Sequence, residues 1–259
     1  IKFRDGFYAD VRTEDRSHTT ISYKAGILEE MRTRVECRAF LRVYDGRMWY
    51  YASVTDLENL QKTLDGLYDA ATPNAQILDD QVVRLFERNK DTLMCFADCS
   101  VRDIPAKEKQ NLLLSYLPLL SEDSCVSMPQ GTYLDRNSLF HFQSSLGADI
   151  TYDYQTCGLS FYCDMTEGEK KFSGHWQKGC THFDELKGLD DEIRSAMTEQ
   201  TAFMRNSVPV VSGRYPVVLS PEAAGVFAHE SFGHKSESDF MLSDEAMRDE
   251  WQPGKTVGS

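Results

Sequence analysis

The chain has 259 residues, 41% apolar and 27% charged, which suits a globular fold of one large or two modest domains. Acidic residues outnumber basic ones by 41 to 28, and the resulting formal charge of −13 disfavours any nucleic-acid partner by repelling phosphate. No apolar run reaches the ~18–20 residues that span a bilayer, and the opening IKFRDGFYAD has no signal-like stretch, so no membrane association is expected.

Seven cysteines are present, an odd number with no C-x-x-C pair, which argues against a disulfide framework and for reduced thiols in a cytoplasmic location. Cys95 and Cys99 could share a metal if they lay on a helix; two small packed side chains is the plainer reading.

In chain order, the first 54 residues read as a β-meander. CRAFLRVY and RMWYYASV flank Asp45-Gly46, a dipeptide favoured in two-residue type I′ hairpins because both positions there need positive φ. A helix is predicted from Thr55, with Thr55 and Glu58 as a capping box, an apolar face of Leu57, Leu60, Leu64, Leu67 and Ala71, and a stop at Pro73. A shorter helix is expected over 79–89, a buried strand over 92–97, and a helix from a cap at Asp103 to about Leu117. From Val126 to Trp176 the pattern returns to β, broken by Gly147, Gly158 and Gly168. Phe183 to Met204 reads as one long amphipathic helix. Meander-then-helix thus occurs twice, without a residue-level repeat.

The fold class expected is α+β. An N-terminal α/β domain over 1–205 is divided into halves 1–125 and 126–205. A strand–helix segment over 206–259 follows. In that segment YPVVLS is read as a short strand, Ser220 as a helix cap, Pro221 as the first helical residue, and Glu222 as a charge suited to the dipole.

That helix delivers His229-Glu230-Ser231-Phe232-Gly233-His234, an H-E-x-x-x-H arrangement. Two histidines at i and i+4 lie ~40° apart around an α-helix, but at i and i+5 the offset is about 140°, which splays the rings. Sharing one metal therefore demands a departure from the α-helix, such as a π-type turn, around Phe232–His234, with Gly233 the residue suited to it. Neutral imidazoles are zinc ligands, and Glu230 is the natural base to take a proton from a zinc-bound water. Glu237 and Asp239 follow at positions where a carboxylate could accept an imidazole N–H, although a solvated acidic face is the blander reading. His175, Cys180 and His182 form a rival metal cluster of unfamiliar spacing, and His18 and His141 have no partner.

The segment GRYPVVLSPEAAGVFAHESFGHKSESD resembles the metal-binding segment of the TldD/PmbA family, also called modulators of DNA gyrase. Catalytic members carry H-E-x-x-G-H-x-x-E-x-D, and His229, Glu230, Gly233, His234, Glu237 and Asp239 match it in turn. YADVRTEDR, ISYKAGILEE and LRVYDGRMWYYAS resemble the family's N-terminal domain.

The resemblance implies a zinc metallopeptidase acting on short or unfolded peptides, with the two histidines as ligands and the glutamate as general base. It implies an N-terminal α/β domain followed by a β-rich C-terminal domain that this chain, ending at Ser259, lacks. It implies a homodimer, or a heterodimer with a PmbA-type subunit. The third zinc ligand it implies is a cysteine beyond Ser259, so the chain alone is expected to be inactive. The alternative is a non-catalytic peptide-binding or scaffold subunit of such a dimer.

Overall fold

The structure, a computed structural model, describes residues 1–256 and divides by contacts into two compact units, 1–207 and 208–259. The first unit is a seven-stranded mixed sheet with helices. Strands β1 (Tyr8–Lys24), β2 (Ile27–Tyr44) and β3 (Trp49–Val54) form the expected opening meander. A second meander follows from β5 (Val126–Ser144), β6 (Asp149–Glu167) and β7 (Lys170–Cys180). The two join through β1 and β5, giving the order β3-β2-β1-β5-β6, with β7 and the short β4 (Lys90–Leu93) both on β6.

Alternation along the strands decides which face is covered. Phe7, Ala9 and Val11 with Ala39, Leu41 and Val43 point to helix α1 (Leu60–Ala70), where Leu64 and Tyr68 are buried and Leu57, Leu60, Leu67 and Ala71 pack around them. Ile21, Tyr133, Leu159, Phe161 and Trp176 form the larger core under α2 (Ala106–Tyr116) and α3 (Asp190–Asn206), which contribute Leu113, Tyr116, Ile193 and Met197. The apolar face of α1 was therefore readable, but its start was not. Asp56, not Thr55, accepts the Glu58 N–H, and the helix begins after Asn59 with no side-chain cap. A missing cap costs about 1 kcal/mol, less than burying one leucine contributes (roughly 1.5–3 kcal/mol).

Other expectations are corrected by particular contacts. The β2–β3 connection is not a two-residue I′ turn: only Gly46 has positive φ (92°). The buried Asp45 carboxylate bridges the longer loop by accepting the Arg47 and Met48 N–H groups at 2.9 and 2.8 Å. Residues 79–89 hold no α-helix but short 3₁₀ turns at Ile77–Asp79 and Val83–Leu85, because Asp80 takes the Val82 and Val83 N–H groups. The buried strand expected over 92–97 is instead β4, exposed throughout and ending at Leu93, after which Asp153 captures the Cys95 and Phe96 N–H groups. Cys95 and Cys99 thus share no helix. Pro105, not Asp103, stands at the N-cap of α2.

Gly158 is no strand break. It lies inside β6, where a Cβ would stand 2.8 Å from the Lys178 carbonyl oxygen of β7. The long helix predicted over 183–204 is split into a 3₁₀ turn (Phe183–Leu186) and α3, with Gly188 at φ 70° between them. YPVVLS forms no strand.

Two charged groups lie within the sheet's faces. Lys109 of α2 and Asp135 of β5 are 3% and 2% exposed and paired at 2.5 Å, with the Tyr133 hydroxyl and the Thr19 N–H also donating to Asp135. On the opposite face Glu14 accepts from Arg16, Arg136 and Ser138.

Candidate metal centre

In the second unit, residues 214–219 form no regular element and are exposed ahead of helix α4 (Pro221–Ala228). The Ser220 hydroxyl accepts the Ala223 N–H at 3.2 Å, and Pro221 occupies the first turn, where its missing N–H costs nothing. The chain leaves α-geometry at His229. Residues His229–Gly233 form a π-helical turn in which the His234 N–H donates to the His229 carbonyl, an i→i+5 bond. A 3₁₀ turn, His234–Ser236, follows, and Glu237 is extended.

The π turn places the two imidazoles on one side. Their ring centroids are 4.3 Å apart at an interplanar angle of 70°. One potential ligand atom each from His229, Glu230 and His234 lies within 4.8 Å of the others. The Glu230 carboxylate is 3.9 Å from His234 Nε2. Glu237 Oε1 lies 2.6 Å from His234 Nδ1. A carboxylate at neutral pH can only accept, so Nδ1 carries the proton and Nε2 presents its lone pair. Two imidazoles and a carboxylate, one ring already oriented from behind, fit the donor chemistry of zinc or a similar divalent ion.

Gly233 contributes differently from the expectation. Its φ of −58° and ψ of −55° are ordinary helical values, so the π turn does not draw on glycine's access to positive φ. A Cβ there would meet His229 Nδ1 at 3.7 Å, an ordinary contact. Asp239 accepts the N–H of Phe240. Two short helices, α5 (Ser238–Ser243) and α6 (Glu245–Glu250), complete the unit, and Asp244 caps the second through the Ala246 and Met247 N–H groups.

The rival cluster does not assemble. His182 Nδ1 faces Thr181 Oγ1 and Glu185, and His175 stacks on Tyr162. Cys180 instead faces Cys157, Sγ to Sγ at 3.5 Å across β6 and β7. Burial pushes the Cys157 thiol well above the usual cysteine range, so it is a packed thiol rather than a ready ligand. Among the described residues, His229, Glu230 and His234 are the group placed to hold an ion. Among the same residues, no helix is long and apolar enough to cross a membrane.

An antiparallel meander backed by helices, followed by a helix that carries the His–Glu–His group, makes an α+β arrangement, and residues 9–71 match the family model "PmbA/TldA metallopeptidase domain 1". In that segment the chain is similar to the PmbA/TldD metallopeptidases. It is 24% identical over 260 residues to the metalloprotease MJ0996 of Methanocaldococcus jannaschii, covering 98% of this chain and 56% of that protein. A 40-residue stretch is 48% identical to a zinc metalloprotease TldD homolog of Saccharolobus solfataricus, covering 15% of this chain and 9% of that one. A solved structure described as a candidate modulator of DNA gyrase from Bacteroides thetaiotaomicron has the same fold, with TM-score 0.70, 17% identity, and coverage of 91% of this chain and 54% of that one. The chain spans about half the length of the relatives it matches.

Proposed function

We propose that this chain carries the zinc-binding and proton-accepting residues of a metallopeptidase that hydrolyses short or unfolded peptides. The observation that carries the reading is the π turn that brings His229 and His234 to one side with Glu230 beside them. His229 and His234 would hold the ion, and Glu237 fixes the His234 ring by its bond to Nδ1. When bound, zinc supplies a Lewis acid that acidifies water and polarises a peptide carbonyl. Glu230 accepts the proton lost by the attacking water at a carboxylate oxygen and returns it to the departing amine. Metallopeptidase naming of the relatives agrees with this chemistry.

A catalytic zinc takes three protein ligands and keeps a position for water. The cluster offers two imidazoles, and no cysteine joins it among the described residues. The third ligand is proposed to be a cysteine supplied from beyond Ser259, in a homodimer or a heterodimer with a PmbA-type subunit. The two-imidazole set also favours a second reading, a non-catalytic peptide-binding or scaffold subunit.

The test is hydrolysis of short unstructured peptides by the longest polypeptide that carries these residues, together with zinc content by elemental analysis. Loss of hydrolysis with chelator and in Glu230→Gln, with zinc retained in the variant, supports the catalytic reading. Hydrolysis surviving in Glu230→Gln removes the proposed base. Zinc far below one equivalent favours the scaffold.

A further inference from the structure

Strands β6 and β7 make a hairpin. At one end Glu167 and Lys170 pair across a tight turn with Gly168 at φ 62°. At the open end Cys157 stands directly opposite Cys180, the last residue of β7, and one step inward Gly158 faces Gly179. Two opposed glycines bring no cross-strand side-chain contact to their face of the sheet. Side-chain fastening between the strands at this end therefore falls to the two cysteines on the other face, whose Sγ atoms are 3.5 Å apart.

The remaining thiols have other neighbours. Cys125 Sγ faces Thr201 Oγ1 and Cys163 Sγ faces Met197 Sδ, each at 3.9 Å. Cys37, Cys95 and Cys99 are exposed. Residues opposed in an antiparallel pair lie about 4.5–5.5 Å apart at Cα. A disulfide accepts about 4.4–6.8 Å, so turning the side chains joins Cys157 to Cys180 without moving the strands. Access is one-sided: Cys157 is 3% exposed, while Cys180 is partly open to solvent. Burial also pushes the Cys157 thiol up, which leaves it inert until a reactive sulfur is delivered beside it.

We propose that Cys180 and Cys157 form a reversible redox site, with Cys180 the entry thiol for a small-molecule disulfide and Cys157 the thiol that resolves it. Cys180, its proton lost to solvent, attacks one sulfur of the reagent. The reagent's S–S bond breaks, and the released thiolate takes up a proton. The Cys157 sulfur then attacks the Cys180 sulfur and breaks the mixed disulfide, and the second reagent thiol leaves with the Cys157 proton. The pair gives up two electrons, and the reagent disulfide is reduced to two thiols. The new bond closes residues 157–180 into a ring and holds β7 to β6 where the chain leaves the sheet towards α3. In the reduced form that end is held by backbone pairing and by Gln155, whose Nε2 donates to the Thr181 carbonyl at 2.7 Å.

The test uses the 259-residue chain carrying Cys37→Ser, Cys95→Ser and Cys99→Ser, which removes the exposed thiols. It is incubated at about pH 8 with oxidised glutathione as the probe, then digested without reductant for mass spectrometry. The expected product is one peptide pair joined through Cys157 and Cys180 and released by dithiothreitol. The oxidised form should melt about 5 °C or more above the reduced form. Adding Cys157→Ala should leave glutathione trapped on Cys180, and adding Cys180→Ser should leave Cys157 unmodified. Circular dichroism on each variant confirms an unchanged fold. No linkage, a linkage to a different cysteine, glutathione that stays on Cys180 with Cys157 present, or an oxidised form that melts no higher overturns the proposal. None of these outcomes bears on the zinc reading, since no cysteine belongs to the His–Glu–His group.

Discussion

His234 and Glu237 are joined through Nδ1 and Oε1 at 2.6 Å, across the short 3₁₀ turn that follows the helix of the candidate metal centre. This bond fixes which imidazole nitrogen faces the ligand side. Glu237→Gln should therefore weaken zinc binding by about 10–100-fold without altering helicity. Competition against a chromophoric chelator measures it. Unchanged zinc affinity would show that the carboxylate is a bystander on a solvated face.

Gly233 makes a sharper test of what the π turn requires. Its backbone is right-handed helical and a Cβ meets nothing closer than 3.7 Å. Gly233→Ala is expected to keep zinc affinity within about twofold and to gain up to ~1 kcal/mol of local helix stability. A collapse of zinc binding in this variant would mean that the turn depends on glycine after all.

The geometry of the candidate site was legible because its signal is local. H-E-x-x-x-H, the Ser220-Pro221 start and Glu237 all lie within one helix and the turns after it, and the five-residue spacing itself called for an i→i+5 turn. The two meanders were legible from alternation, and the α1 face from its leucines. What was missed depended on distant or competing partners. Cys95 and Phe96 are held by Asp153, 58 and 57 residues away, which no local pattern reveals. Asp56 and Asp80 compete for N–H groups that helix-start rules assign elsewhere. Lys109 lies in a helix of mixed polarity, and nothing in its neighbours marks it as buried.

That lysine is the most exacting group in the core. Lys109 and Asp135 meet at 2.5 Å between α2 and β5, both almost wholly removed from water. Removing one partner strands the other charge in a low-dielectric setting, so Lys109→Met should destabilise the chain by about 3–5 kcal/mol despite its apolar fit. Urea unfolding followed by circular dichroism gives the difference. A loss below about 1 kcal/mol would mean that Asp135 is adequately served by Tyr133 and Thr19 alone.

Glu14 governs the acid limb of stability. Burial raises its carboxyl pKa, but hydrogen bonds from Arg16, Ser138 and Arg136 outweigh burial and hold it below the usual glutamate range. The unfolded chain, with an ordinary value near ~4.3, takes up the proton first as pH falls. The stabilisation is therefore complete at neutral pH and is lost as pH drops through the lowered folded value. Glu14→Gln should cost about 2 kcal/mol at pH 7, with the gap to the parent chain closing steadily in acid. Urea midpoints measured at pH 7, 5 and 3 test the sign directly. A gap that stays constant, or widens towards pH 3, would place the loss in packing and hydrogen-bond geometry rather than in the carboxylate's charge.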